Sequence, residues 1–94
     1  MKQLRYVDQI WLVSDATAGV LLDFAAALAR AGSAQHLTLE VLDINGTPEQ
    51  VEFLIGPATM MTAEPSSEEF ADPDNASVEE LMRMQISELD AATR

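Results

Sequence analysis

A helix with its own start and stop signals constrains the fold of this 94-residue chain most strongly. Ser14 or Asp15 is suited to cap the N-terminus of the helix, and Gly32 is the expected stop at its C-terminus. Apolar residues recur between them at helical spacing: Val20, Leu21, Phe24, Leu28 and Ala31. Asp23 and Arg30 fall on the other side. The sequence therefore predicts an amphipathic helix that ends near Ala31 and packs one face against other elements.

The segment before this helix, residues 5–13, is predicted to be a single strand. A continuous apolar run, residues 10–13, precedes the helix start directly, as in a buried strand. A helical interpretation stays open, because Leu4, Val7 and Trp11 share a helical face. If the segment is a strand, the helix after it leads to a right-handed crossover, which predicts that this strand and the next one are parallel.

A β-hairpin is predicted after the helix. Residues 36–44 and 50–55 alternate apolar with polar side chains, which is typical of half-buried strands. Pro48 lies between them and cannot donate a backbone hydrogen bond, so we expect it in the loop or at an unpaired strand position.

The loop of this hairpin is predicted from the pairing of its apolar side chains. Asn45-Gly46 favours a two-residue turn, but that turn would place every apolar residue opposite a polar one. A three-residue loop, 45–47, pairs Val41 with Val51, and a five-residue loop, 45–49, pairs Val41 with Phe53. Since register decides which face is buried, we expect one of these odd loops, with Gly46 at positive φ.

The rest of the chain is predicted to be a linker followed by a second helix. Residues 56–76 are rich in proline, serine and acidic residues and show little periodicity, which indicates a loop or linker. Ser77–Glu80 matches a capping box, and an apolar stripe follows it to about Ala91. We expect one domain that consists of a β-α-β-β body over 1–58, an acidic linker over 59–76 and a C-terminal helix over 77–94.

These elements predict a two-layer α+β fold in the order β-α-β-β-linker-α, with a three-stranded mixed sheet and two helices. Segment 5–13 would then be an apolar strand at the sheet edge, which invites pairing with another chain. The C-terminal helix is too short to be stable alone and has to dock on something. We therefore expect a homodimer formed through segment 5–13 or through this helix.

Charge and composition exclude several classes of function. The net charge is −11 and the chain has no cysteine, so disulfide and thiolate chemistry are excluded. Between Glu64 and Glu80 there are seven acidic residues and no basic one. Direct nucleic-acid binding is disfavoured, because phosphate contacts need Lys and Arg. No apolar run is long enough for a membrane span or a signal peptide, and we expect a cytoplasmic protein without membrane contacts.

No motif predicts catalysis, a cofactor or a metal centre. His36 is the only histidine, and no cysteine or second histidine accompanies it. Residues 72–83 do not fit the spacing of an EF-hand calcium loop. The turn Ser14–Gly19 joins a predicted strand to a helix, where α/β proteins bind phosphate, but it lacks glycine-rich spacing and lysine. A small enzyme or ligand binder that uses this turn is therefore a minor alternative.

The leading hypothesis is a non-enzymatic protein–protein interaction module that is homodimeric, binds a basic protein, or does both. The main alternative is an acidic mimic of nucleic acid that inhibits a basic nucleic-acid-binding protein, because its carboxylates can imitate phosphates. The candidate partner-binding residues are the unshielded apolar and acidic ones: Trp11, Met60, Met61, Glu64, Glu68, Glu69, Phe70, Asp72, Asp74, Leu81, Met82, Ile86 and Leu89.

Overall fold

The computed structural model describes residues 1–92 and has a two-layer α+β architecture. The elements in chain order are β1 (Lys2–Tyr6), β2 (Gln9–Val13), α1 (Asp15–Ala31), β3 (Gln35–Leu42), β4 (Pro48–Ile55), β5 (Met61–Pro65) and α2 (Ala76–Ala92). The strands form one antiparallel sheet in the order β4-β3-β2-β1-β5. Both helices contribute side chains to the same buried cluster, so they pack on the same face. The α+β class is confirmed, but the predicted three-stranded mixed sheet is wrong.

The segment predicted as one strand, residues 5–13, belongs to the β1–β2 hairpin. Val7 and Asp8 form its turn, and Tyr6 lies opposite Gln9. This hairpin makes β2 an inner strand between β1 and β3 instead of an exposed edge. The prediction that this segment lies at the edge and runs parallel to the next strand is therefore wrong. Because β1 and β3 flank β2, the segment does not need a second chain to cover it.

The predicted linker contains the fifth strand. β5 pairs with β1, with Met61 opposite Tyr6 and Pro65 opposite Lys2. Met61 and Ala63 are partly buried and pack against the core, so this strand follows the alternation of a half-exposed sheet. Residues 66–75 then run without regular structure to the start of α2. The linker prediction is wrong for β5, because an available strand edge on β1 orders a segment of low β propensity.

The β3–β4 hairpin follows the odd register that its apolar pattern requires. Leu39 lies opposite Val51 and Leu37 opposite Phe53. The loop has five residues, as in one of the two predicted alternatives, but it covers 43–47 and not 45–49. Val41 consequently lies opposite Glu49, and neither predicted partner of Val41 is right.

Local hydrogen bonds explain why this loop begins two residues early. The carboxylate of Asp43 accepts the backbone N–H groups of Asn45 and Thr47 at 2.8 and 2.9 Å. Such a local turn competes with strand pairing and ends β3 at Leu42. Gly46 has φ 87°, which confirms the predicted positive φ.

The caps of α1 are those predicted from the sequence. The Ser14 hydroxyl accepts the backbone N–H of Thr17 at 3.0 Å, and Gly32 takes a left-handed conformation at the C-terminus. The buried side of the helix carries Leu21, Phe24 and Leu28, which enter the core of the domain.

The second helix, α2, packs against its own chain. It begins at Ala76, whose N–H is accepted by the Asp74 carboxylate at 3.0 Å. Ser77 therefore lies in the first turn, and the prediction that it caps the helix is wrong. Met82 is fully buried in the core, and Val78 and Ile86 are partly buried against it. Residues 93–94 of the predicted C-terminal helix lie outside the described residues.

The two helices run in the same direction beside each other. Near their N-termini the Thr17 hydroxyl donates to the Glu79 carboxylate at 2.5 Å. Near their C-termini Arg30 donates to Asp90 at 3.1 Å. Because α1 and the sheet cover α2, the helix does not require a partner chain to bury Val78, Met82 and Ile86.

The contact between β2 and β3 is unusually small. Within the described part of the chain, these strands share a single residue pair, Leu12 with Leu42. Beside it, the buried side chain of Asn75 accepts the backbone N–H of Glu40 and donates to its carbonyl, both at 2.8 Å. Asn75 thus satisfies two backbone groups that a neighbouring strand would otherwise satisfy. We refer to this pair of hydrogen bonds as the Asn75 clamp.

Candidate interaction surfaces

The loops at the two ends of the domain differ sharply in charge. At one end, residues 7–8, 32–34 and 56–60 include a single charged residue, Asp8. At the other end, residues 43–47 and 66–75 carry five carboxylates and no basic residue. We call these the apolar end and the acidic end. The uneven charge of the sequence therefore becomes a difference in charge between the loops at the two ends of the folded domain.

A groove of about 480 Å³ lies at the apolar end, between the β1–β2 turn and the loop after β4. Its rim carries Val7, Leu54 and Met60, which are 75%, 65% and 82% exposed. These are three of the six large apolar side chains that are exposed among residues 1–92. Single exposed apolar residues are common on protein surfaces, but a contiguous group is typical of a binding surface.

Val7 adopts a backbone conformation that β-branched residues rarely take. Its φ is 58°, and it is the single non-glycine residue with positive φ in the described part of the chain. Positive φ at the first position of a two-residue hairpin turn is normally met by glycine. The left-handed conformation costs an L-residue about 1–2 kcal/mol. Because the side chain is mostly exposed, burial within this chain does little to offset that cost.

Hydrogen bonds and ring contacts hold the groove in shape. The Tyr6 hydroxyl donates to the carbonyl of Leu54 at 2.6 Å. The rings of Tyr6 and Trp11 meet Phe53 edge-on, with centroid distances of 5.4 and 5.3 Å. On the other wall, the N–H of Gly56 donates to the Thr59 hydroxyl at 2.8 Å. The groove is therefore largely formed before any partner binds.

A smaller depression of about 300 Å³ lies at the acidic end, bordered by Asp15, Asp72, Asp74 and Glu79. The Met1 amino group lies 3.0 Å from the Asp15 carboxylate. Glu79 accepts the Thr17 hydrogen bond and also lies 3.7 Å from the guanidinium of Arg83. Across residues 1–92, no three histidine or carboxylate side chains are arranged to hold a metal ion. The acidic end consequently offers a distributed negative surface.

A third groove, of about 650 Å³, separates α1 from α2. Both of its arginines already lie close to carboxylates: Arg30 is 3.1 Å from Asp90, and Arg83 is 3.7 Å from Glu79. This pairing leaves the groove without a cluster of available cations for an anionic ligand. Neither helix is long and apolar enough within residues 1–92 to span a membrane.

The candidate partner-binding residues occupy different environments. Met82 is buried, and four others are partly buried against the core: Trp11, Met61, Ile86 and Leu89. Leu81 is exposed on α2. The carboxylates of Glu64, Glu68, Glu69, Asp72 and Asp74 are exposed, and only the last two border the acidic depression. Packing against the core gives Met82 and the four partly buried residues a role that needs no partner.

Of the thirteen candidate residues, only Met60 borders the groove at the apolar end. Phe70 is half-buried, and its ring lies over Gly46. Val7 and Leu54 were not anticipated as surface residues. Leu54 carried a signal, because it falls on the polar side of the β4 alternation. Val7 carried none, because valine gives no indication of a turn.

The Ser14–Gly19 turn is accounted for by helix capping. The Ser14 hydroxyl accepts the Thr17 N–H and donates to the Thr17 hydroxyl at 2.9 Å. Thr17 is buried, and its hydroxyl donates a hydrogen bond to the Glu79 carboxylate. These side chains are engaged with one another, so they present no open cradle for phosphate.

Comparison with known proteins adds no functional information. No protein-family model matches the chain, and no curated protein or solved structure shows significant similarity to it. The surfaces described above are therefore the basis for a functional assignment.

Proposed function

We propose that the protein is a non-enzymatic protein-interaction module that binds its partner through the groove at the apolar end. The observation that carries the proposal is Val7, an exposed β-branched residue held in a left-handed conformation on the rim of that groove. Strained backbone conformations of this kind cluster at active sites and ligand-binding sites. The proposal includes a cytoplasmic location, where a chain without cysteine needs no oxidising environment.

The chemistry of the groove suits protein binding. Val7, Leu54 and Met60 surround a recess whose walls are apolar and preformed. Burying side chains of this size contributes about 1.5–3 kcal/mol each. A preformed surface also reduces the entropy lost on association. Three such anchors in one patch can form the dry centre of an interface with a polar rim.

The experiment is site-specific photo-crosslinking of the full chain in its native cells. A photoreactive amino acid replaces Leu54 or Met60 in the groove, or Ile44 or Leu81 as exposed controls outside it. Ile44 is 61% exposed and Leu54 is 65% exposed, so the comparison is matched for accessibility. We expect protein adducts from the groove positions and few from the controls. Equal yields at all four positions would contradict the proposal.

A second candidate function is inhibition of a basic nucleic-acid-binding protein by mimicry. It is favoured by the anchoring of the acidic segment 66–75. Ser66 donates its N–H to the carbonyl of Met1 at 3.1 Å, Phe70 packs over Gly46, and Asn75 is clamped to Glu40. Anchored carboxylates can keep the fixed spacing that mimicry requires.

The test of mimicry neutralises five carboxylates together: Glu64→Gln, Glu68→Gln, Glu69→Gln, Asp72→Asn and Asp74→Asn. We expect the wild-type chain to displace DNA from a basic DNA-binding protein of the same cells and the variant to lose this ability. The control neutralises four carboxylates outside the segment: Asp8→Asn, Asp23→Asn, Glu52→Gln and Glu88→Gln. Equal displacement by variant and wild type would exclude this function, provided that circular dichroism shows both are folded.

A further inference from the structure

We infer that the occupant of the groove is a second copy of this chain, so that two copies associate through their apolar ends. This inference rests on the proposed function and identifies the partner. It differs from the sequence-based expectation of a dimer through residues 5–13 or the C-terminal helix, because both of those are packed inside one chain. The new surface consists of Val7, Leu54 and Met60 with the loops around them.

The distribution of charge points to a partner with the same acidic character. Each chain carries a net charge of −11, so two copies repel wherever their carboxylates come close. A basic partner would be attracted to the acidic end by complementary charge. The loops of the apolar end carry one charged residue, and the last turns of α2 add Glu88 and Asp90 at this end, where Asp90 is paired with Arg30. A second acidic molecule therefore meets less repulsion here than at the acidic end. A second copy of the chain meets this requirement.

The arrangement also separates the acidic ends. Contact through the apolar ends leaves the carboxylates of 43–47 and 66–75 on the outer sides of the dimer. Charges separated by more than the Debye length, about 8 Å at physiological salt, are largely screened from each other. The carboxylates that remain at the contacting ends are Asp8, which lies next to Val7 in the turn, and Glu88 and Asp90 of α2.

The patch combines the exposed Val7 turn with the groove beside it, which is compatible with a two-fold symmetric interface. In such an interface the same surface serves both subunits, and each presents its turn to the other's groove. Stable dimers bury roughly 800 Å² on each partner. Three anchors supply the centre of that area, and loops 32–34 and 56–60 supply its rim. We expect a dissociation constant in the micromolar range, roughly 1–100 µM.

Sedimentation velocity of the purified full chain tests the inference over a concentration series from about 1 to about 500 µM. We expect a transition from monomer to dimer that becomes tighter as NaCl rises from about 20 to about 300 mM, because salt screens like-charge repulsion. Asp8→Asn should tighten the dimer several-fold at low salt. A chain that stays monomeric throughout, or a dimer that weakens with salt, would overturn the inference.

Paired variants identify the surface. Leu54→Gln with Met60→Gln should weaken dimerisation at least about tenfold. Ile44→Gln with Leu81→Gln, matched in chemistry and number, should leave it unchanged. Equal weakening by both pairs would overturn the inference. Circular dichroism confirms that each variant is folded.

Photo-crosslinking separates this inference from the function on which it rests. Adducts between two copies at Leu54 and Met60 support both. If the purified chain is monomeric and these positions capture a different protein, the self-association is wrong and the proposed function stands. If no adduct forms at either position, both are wrong.

Discussion

At the scale of single residues, a few positions combine an unusual backbone conformation with a specific neighbour. Val7 has positive φ with its side chain in solvent, whereas Gly46 has positive φ with an aromatic ring above it. The proposed function gives the first position a role in binding, whereas the ring above Gly46 gives the second position a role in packing. Substitutions separate these roles, because glycine relieves strain at Val7 and alanine introduces strain at Gly46.

Val7→Gly is expected to stabilise the fold and weaken binding. Glycine accepts positive φ without a steric penalty, and the lost side chain was mostly exposed. Glycine also makes the unfolded chain more flexible, which offsets part of this gain in stability. We expect Tm to rise by a few degrees, since about 1 kcal/mol corresponds to 4–8 °C in a domain of this size. Calorimetry measures the first effect, and sedimentation measures the second. Val7→Ala, which keeps the strained φ, should weaken association without the gain in Tm.

Gly46→Ala is expected to destabilise the protein by about 1–3 kcal/mol. A Cβ at this position would come within 2.7 Å of the Phe70 ring, and φ 87° is unfavourable for alanine. Gly19→Ala is the control, because a Cβ there meets nothing within 4 Å and alanine favours the helix. That variant should be more stable by about 0.5–1 kcal/mol. Urea unfolding measures the free energy of unfolding of both variants. A change of the same sign in both would contradict the conclusion that Gly46 is required for its conformation and its contact with Phe70.

Asn75→Ala is expected to cost about 1–3 kcal/mol of unfolding free energy. It leaves the N–H and carbonyl of Glu40 without the partner that satisfies both in the native structure. Asn45→Ala removes an exposed asparagine from a loop and should change stability by less than about 0.5 kcal/mol. Similar midpoints for the two variants in urea would show that the clamp contributes little.

At the scale of elements, the helices and strands show how much of the fold the sequence determines locally. Helix α1 was predicted with both caps, because Ser14 and Gly32 carry their signals in the adjacent chain. The parity of the β3–β4 register was predicted because one face of the hairpin is buried. The Val7–Asp8 turn was missed, since its conformation is imposed by pairing of β1 with β2 and not by turn residues. Strand β5 was missed because β1, far away in sequence, provides its partner.

The candidate site was less predictable than the fold. Met60 was predicted as a binding residue because it is one of the few large apolar residues of the predicted linker, but the groove also depends on Val7 and Leu54. These three residues lie in different loops and strands, and only the folded sheet brings them together. The helical pattern placed Met82 on the apolar stripe of α2 and Met84 off it, but it did not show whether this stripe packs on its own chain or on a partner.

Met82→Ala is expected to cost about 2–5 kcal/mol, as for other large-to-small substitutions in a core. Its side chain is fully buried among residues of both helices and the sheet. Met84→Ala on the exposed side of α2 should change stability by less than about 0.5 kcal/mol. Denaturant unfolding at low protein concentration distinguishes the two. Equal, small effects would mean that α2 is not docked on its own chain in solution.

At the scale of the whole molecule, net charge is the dominant feature. Sixteen acidic residues and five basic ones leave few attractive pairs to offset repulsion. Three ion pairs and a contact between His36 and Glu52 are formed among the described residues, and most of their side chains are exposed, so they contribute little. Stability should therefore depend on ionic strength more than in a neutral domain of similar size.

We expect Tm to rise by several degrees between about 20 and about 500 mM NaCl, because salt screens repulsion within the folded chain. The five-carboxylate variant described above should show a smaller rise. Differential scanning fluorimetry measures both, and sodium sulfate is avoided because it stabilises proteins by exclusion from their surface. A Tm that falls with NaCl would indicate that ion pairs outweigh repulsion.

The single backbone pair between β2 and β3 has a consequence for the order in which amide protons exchange with solvent. Opening that boundary requires the loss of one strand pair and the Asn75 hydrogen bonds, whereas opening either hairpin breaks a full ladder. Locally cooperative units with different opening free energies are a general property of domains. The amide of Glu40 should then exchange by a local fluctuation, well before those of Leu37 and Leu39, and report on this boundary directly.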